Sequence, residues 1–294
     1  NVKLDFNGMV DYSQVIPKFN IKSKIEDLKF TQLHLLDLPS DTLSSLSTEL
    51  ELNFEGNTID NIQGTIIAEN TNYTYQGNNY FLKNFNFSNT AEPNGLKTLS
   101  LKSDIMDADI SGNFMFSDLY PSSLKFMKVY LPSFSTRIAD DLDTIREQNF
   151  VFMIKLKNTT PVTTLFIPEL KVSANTVIKG SYNTTQNVLD LGVTSAKTSY
   201  QDYNLKDFFV SCKTRDSKIM INIGSQELNF SDSVGLDNVT LKTIIRNDSI
   251  RYDLAWENEN DNIKNSGNIA GFLNFTQRPN IEIRLDESKL VIND

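Results

Sequence analysis

The sequence predicts an all-β protein built as an elongated, repetitive sheet with one dry face, and three observations lead there. Apolar and polar residues alternate with period two through most of the chain, the pattern of strands buried on one side only. Strand-like runs are short and separated by turn residues at roughly 8–12-residue spacing. The pattern also recurs: Tyr80, Leu82, Lys83, Phe85, Phe87 and Ser88 return as Tyr203, Leu205, Lys206, Phe208, Val210 and Ser211. Leu205, Asp207, Phe208 and Val210 return 31 residues on as Leu236, Asn238, Val239 and Leu241. A second alternation follows each copy (Leu99 and Leu101; Ile219, Ile221 and Ile223; Ile250, Tyr252, Leu254 and Trp256). A third run then carries Phe114, Phe230 or Phe275, so the repeat reads as three strands. Such self-similarity marks a stacked, extended architecture.

Taken in order, the chain opens in a strand, with Val2, Leu4 and Phe6 alternating with Asp5 and Asn7. Broken alternations follow through Phe19, Ile21, Ile25, Leu28 and Phe30, then a leucine-rich piece (Leu33, Leu35, Leu36) ahead of Pro39. Within 43–55, Leu50, Leu52 and Phe54 alternate with Glu49, Glu51, Asn53 and Glu55, and Gly56–Asn57 turns the chain. Strands continue through Ile59, Ile62, Ile66, Tyr73 and Tyr75, with Gly64 and Gly77 at bulge or turn positions. Helical spacing is confined to 119–147. Leu124, Met127 and Leu131 follow Pro121, placed in a first turn. Ile138, Leu142 and Ile145 follow a cap at Ser135 or Thr136. Two amphipathic helices are expected, about 119–130 and 136–147. Asp140, Asp141 and Asp143 fall on the polar side of the second, near the positive end of its dipole, and read as a solvated face. Strands resume at Phe150, with Phe150, Phe152, Ile154 and Leu156 on one face. A helical turn is expected at 161–167, and strand and turn alternate to the end.

Composition excludes several classes of function. The 294 residues carry a net charge of −9, with no basic stripe, so no nucleic-acid partner is expected. No apolar run reaches the ~20 residues of a membrane-spanning helix. With one cysteine, Cys212, there is no intrachain disulfide or thiolate cluster, and it reads as a small buried strand residue. The one histidine, His34, sits among leucines without catalytic or metal-binding partners. Phosphate-cradling loops, nucleophile elbows and metal-ligand spacings are all missing from the sequence, so neither an enzyme nor a cofactor is expected. Both ends read as cuts through a longer protein.

Pattern alone leaves two architectures open. The dry faces can meet in a closed sandwich or solenoid. Alternatively, the sheet can curl into an open trough, stable only when something apolar fills it.

The phrases LELNFEGNTIDNIQGTIIAENTNYTY, SLKSDIMDADISGNF and FIPELKVSANTVIKGSY resemble the TamB family of large envelope proteins, in the versions found in Bacteroidota-type bacteria. The ending DESKLVIND resembles a mid-chain passage of the same proteins. TamB proteins belong with the AsmA-like, bridge-like lipid transporters. The resemblance implies that residues 1–294 are a mid-chain fragment of one extended periplasmic β-groove, curled open around a hydrophobic lumen, with a helical insertion near 119–147. It implies a periplasmic location between the membranes of a Gram-negative bacterium, with an inner-membrane anchor outside this stretch. The implied partners are phospholipid acyl chains and an outer-membrane barrel of the Omp85 type. Lipid transport along the groove is the expected activity, with assembly of outer-membrane barrel proteins as the alternative. A surface adhesin or glycan-binding solenoid is a third class, and it would place aromatics on an exposed ledge. In the groove, strand alternation puts Leu50, Leu52, Phe54, Phe85, Phe87, Leu99, Leu101, Phe150, Phe152, Ile154, Leu156, Phe208, Val210, Ile219, Ile221, Ile223, Ile250, Tyr252, Leu254 and Trp256 on the inner face.

Overall fold

A computed structural model describes residues 3–29, 45–75, 77–135, 145–231, 235–260, 263–275 and 281–292. His34 and the stretch 136–144, with Asp140, Asp141 and Asp143, lie outside the described residues, as do Phe30, Leu33, Leu35 and Leu36. The chain divides into two compact units, Asn1–Gly112 with Ile154–Pro168, and Asn113–Met153 with Glu169–Asp294. In both, the strands pair antiparallel, the arrangement that goes with a sheet buried on one face.

In the first unit β1 (Lys3–Asp11), β2 (Lys18–Lys29), β3 (Ser45–Glu55), β4 (Gln63–Tyr75), β5 (Asn78–Ala91), β6 (Lys97–Ser103) and β7 (Met106–Asn113) form a meander. Each strand pairs with the next. Opposite charges face each other across β2 and β3: Lys22–Glu51 is 3.0 Å and Lys18–Glu55 is 3.3 Å. Such exposed pairs contribute at most about 1 kcal/mol each, so they select register more than they add stability.

The second unit begins with α1 (Phe116–Tyr130) and α2 (Pro132–Ser135). The strand β8 (Asn149–Leu156) follows, with 149–153 assigned to the second unit and 154–156 to the first. The short α3 (Thr160–Phe166) belongs to the first unit. Then come β9 (Leu170–Val172), β10 (Val177–Asn183), β11 (Val188–Tyr200), β12 (Tyr203–Arg215), β13 (Lys218–Asn229), β14 (Gly235–Arg246), β15 (Ser249–Asn260) and β16 (Ile263–Phe275). From β10 to β16 each strand pairs with the next. β17 (Ile281–Leu285) and β18 (Lys289–Ile292) divide one edge of β16 between them, as β9 and β10 divide one edge of β11.

The repeat is a two-strand hairpin, a correction to the three-strand reading. The 31-residue offset carries β12 onto β14, and Phe230 lies just past the end of β13, on no third strand. The repeated polar position also has a structural meaning. Asp207 and Asn238, aligned by the repeat, both take left-handed backbone angles (φ 48° and 49°) in mid-strand. Asp27 and Asn70 do the same in β2 and β4 (φ 56° and 50°). Asp and Asn tolerate this region better than other non-glycine residues, and one such residue redirects an extended chain. Hydroxyls, those of Thr48 and Ser225 buried, hold the neighbouring strands at these bends. Ser225 Oγ donates to the Lys206 carbonyl at 2.8 Å, Thr48 Oγ1 lies 2.7 Å from Thr71 Oγ1, and Asp27 N donates to Ser47 Oγ at 3.0 Å.

The helices depart from expectation in three ways. α1 starts at Phe116, so Pro121 lies inside it rather than in its first turn. Its buried stripe is Ser122, Phe126 and Tyr130 at i, i+4, i+8, about one position round from Leu124 and Met127. Residues 145–147, the described end of the expected second helix, are irregular. Gln148, which is fully buried, explains the last point. Its backbone N–H donates to Thr184 Oγ1 at 2.9 Å, its carbonyl accepts from Thr184 N at 2.9 Å, and its Oε1 accepts from Met115 N at 2.9 Å. Those bonds fix residue 148 as the approach to β8 and to the start of α1.

Candidate functional site

Each unit carries an apolar face whose composition can be read row by row from the strand register, since residues paired across strands share a face. In the first unit one row runs Gly8, Ile21, Leu52, Ile66, Phe87, Leu101, Ala108. A second runs Val10, Phe19, Phe54, Gly64, Asn89, Leu99, Ile110, and a third holds Leu50, Ala68 and Phe85. Phe19 stacks on Phe54 with ring centroids 4.7 Å apart. The opposite face carries Asn7, Lys22, Glu51, Ile67, Asn86, Lys102 and Asp107 in one row, so Glu51 and Leu52 point to opposite sides. Two shallow clefts in this unit open on that charged face, among Lys22, Lys24, Glu49, Glu51 and Glu69 and beside Asn84, Asn86 and Lys102. At the far end Tyr73 is buried, stacks on Tyr80 at 5.0 Å and donates its hydroxyl to the Pro161 carbonyl at the start of α3. Burial, with Tyr80 beside it, pushes the Tyr73 phenol well above its ordinary range, so it stays a neutral donor.

In the second unit the rows are ordered from the hairpin turns inward. The outermost holds Tyr182, Leu189, Thr214, Ile219, Ile245, Ile250 and Leu273. Next comes the row of Leu191, Cys212, Ile221, Thr243, Tyr252 and Gly271. The third is Val193, Val210, Ile223, Leu241, Leu254 and Ile269, aliphatic throughout. At the bend stand Ser195 and Phe208 as one pair, Ser225 and Val239 as another, and Trp256 opposite Gly267. The glycines opposite aromatics give them room: a Cβ on Gly267 would stand 2.1 Å from the Trp256 ring, and one on Gly271 2.7 Å from the Tyr252 hydroxyl. Phe152 lies against Gly180, and Phe150 meets Tyr182 and Phe114 edge-on at 5.9 and 5.7 Å.

The register thus brings Leu50, Leu52, Phe54, Phe85, Phe87, Leu99 and Leu101 onto one face of the first unit. It brings Phe208, Val210, Ile219, Ile221, Ile223, Ile250, Tyr252, Leu254 and Trp256 onto one face of the second. Phe150 packs against that second face, while Ile154 and Leu156 are half-buried in the first unit, alternating with exposed Lys155.

Sequence reasoning missed how unevenly the second face is covered. Phe126, Tyr130 and Leu131 of α1 and the residue after it form one buried cluster with Tyr182, Cys212, Ile219 and Ile245, flanked by Met127, Leu191, Ile221 and Ile250. The α1 segment therefore packs on the first row and on Leu191, Cys212 and Ile221 of the second, while the third row lies outside this cluster and is half-exposed. Past β16 the first two rows leave this cover: on β17 Ile283, opposite Leu273, and Leu285, opposite Gly271, are 64% and 68% exposed. Buried Cys212 has its thiol pushed up by desolvation and by Asp190, which keeps it protonated and slow to react.

Among the described residues no group of three or more His, Cys, Asp and Glu could hold a metal ion, and no helix is long and apolar enough to cross a membrane. A scan against protein-family models finds no match, and searches of curated proteins and of solved structures find none either.

Proposed function

We propose that the protein is a periplasmic segment of a TamB-type, AsmA-like lipid bridge, carrying phospholipid between the inner and outer membranes with acyl chains laid on its apolar faces. The observation that carries this reading is the half-exposed aliphatic row Val193, Val210, Ile223, Leu241, Leu254 and Ile269 in the second unit. Contiguous apolar surface of this kind is rare on a protein without an apolar partner. The row crosses six strands, about 24 Å at ~4.8 Å per step. One leaflet's acyl chain spans about 15 Å, half the hydrocarbon thickness of a bilayer. Each methylene laid on the row contributes about 0.8 kcal/mol, without directional bonds that would hold the lipid in place. That combination suits transport better than storage. No chemical step is assigned to the protein, and in this reading an inner-membrane anchor and an Omp85-type outer-membrane barrel flank the segment at its two membranes.

The test pairs neighbours on β14 that point to opposite faces. Leu241→Asp puts a charge into the aliphatic row, at a cost of several kcal/mol in an apolar setting. Lys242→Asp puts the same group on the exposed face. Both proteins, shown to be folded, are purified and their bound phospholipid counted by mass spectrometry. Loss of lipid in the first with retention in the second is expected. Equal lipid in both, or none in the unsubstituted protein, would contradict the proposal.

A further inference from the structure

The apolar face of the second unit is longer from turn to bend than the part of it left open, because the chain's own helix lies on the rest. We infer that α1 is a fixed wall of the lipid path: it permanently holds the stretch of the turn-side rows from β10 to β15 and steers cargo onto the aliphatic row beyond them. This inference rests on the lipid reading and deepens it, by saying which part of the face cargo can touch.

Two kinds of observation separate a wall from a lid. The first is burial. Phe126, Tyr130 and Leu131 are each less than 5% exposed, and Ser122 lets the helix backbone approach Tyr182 closely. Lifting α1 would return these aromatics, and Ile219 and Ile245 beneath them, to water. The second is the way the helix is stitched along the line of turns. Tyr182 Oη donates to the Ser122 carbonyl at 2.8 Å, and Tyr130 Oη donates to the Asn187 carbonyl in the β10–β11 turn at 2.9 Å. In the β14–β15 turn, Asp248 N donates to the Tyr130 carbonyl at 3.0 Å. The Asp248 carboxylate accepts from Ser133 N at 2.7 Å and from Ser133 Oγ at 2.9 Å. At its other end α1 is held by Arg146 Nε donating to Asp118 at 2.6 Å. A lid poised to open keeps few bonds to what it covers, because segments that move are drawn from the least stable parts of a fold. α1 and the residues after it are bonded to two hairpin turns, β10–β11 and β14–β15, and α1 is bonded between its ends to Tyr182 of β10.

The single cysteine makes the distinction measurable. Cys212 lies in the row under α1, 7% exposed, whereas Leu241 lies in the open row one step away. The whole chain is treated with a water-soluble maleimide, alone and with palmitoyl-lysophosphatidylcholine, in two forms: unsubstituted, and with Cys212→Ala plus Leu241→Cys. The emission of Trp256 reports that each is folded. With a fixed wall, Cys212 stays unlabelled with and without the lipid, and reacts only in denaturant. The thiol at 241 reacts freely and is protected by the lipid about tenfold or more, as expected for a site that is occupied rather than opened. Phe126→Ala, which loosens the cover, should speed labelling of Cys212 in otherwise folded protein. If the lipid protects position 241 while exposing Cys212, α1 is displaced by cargo and the wall is overturned, though the lipid reading stands. If the lipid protects neither thiol, the lipid reading falls and this inference with it.

Discussion

Single residues decide where these sheets bend. Asp207 and Asn238 hold φ near +50°, which a β-branched side chain can reach only with strain of about 1–3 kcal/mol. Asn238→Val should therefore lower the free energy of unfolding, read by urea titration, by that amount, while Asn238→Gly should be nearly neutral. Equal effects from the two would mean that the left-handed angle is not what the position requires. Gly267 is a residue of the same kind. Its missing side chain lets the Trp256 ring lie against the β16 backbone, and a methyl there would meet the ring at 2.1 Å. Gly267→Ala should push the indole outward, shift its emission to the red and cost about 1–3 kcal/mol by overpacking. Trp256 is the chain's only tryptophan, so the shift reports this site alone.

At the scale of elements, α1 and the strands beneath it share one core. Ile219 is 2% exposed at the centre of that core, and Ile219→Ala should cost about 2–5 kcal/mol in denaturant unfolding. Val210→Ala, in the half-exposed row, should cost clearly less. The carboxylate of Asp118 at the helix start sits below its ordinary range because Arg146 donates to it, and Lys157 and Lys102 do the same for Asp107 and Asp109. A lowered folded-state value stabilises the fold above the unfolded carboxylate range, near pH 4, and that contribution is lost as pH falls through the lower folded values. Each pair has at least one partner about half exposed and contributes about 1 kcal/mol or less, so acid should loosen the fold gradually below about pH 4 and salt should mimic part of the effect. The strands were legible in the sequence because period-two alternation is local: Glu51 and Leu52 differ in character and point opposite ways. The course of α1 was not legible. Its buried stripe includes Ser122, chosen for close approach to Tyr182, and no hydropathy pattern marks a serine as a contact. Nor did any local signal single out Gln148, whose burial depends on Thr184 and Met115, far away in sequence.

At the scale of the whole molecule, both units use one plan: antiparallel hairpins, an apolar face, and a left-handed Asp or Asn in mid-strand. The repeat and its 31-residue offset are visible in the sequence, but the strand count is not, because Phe230 resembles the start of a strand and in fact follows the end of one. The match of Asp207 with Asn238 was visible too, though only backbone angles reveal why a polar residue recurs inside a strand. What the faces are for is the central claim, and Trp256 tests it most directly, since it stands on the apolar face of the second unit beside the row ending in Leu254 and Ile269. The measurement is quenching of its fluorescence by phospholipid brominated along the acyl chain, compared with the same lipid unbrominated. Bromine quenches only at contact. Acyl chains lying on the face predict strong, saturable quenching by the brominated lipid alone, weakened by Leu241→Asp and unaffected by Lys242→Asp. Emission that stays unchanged at saturating brominated lipid would contradict the account.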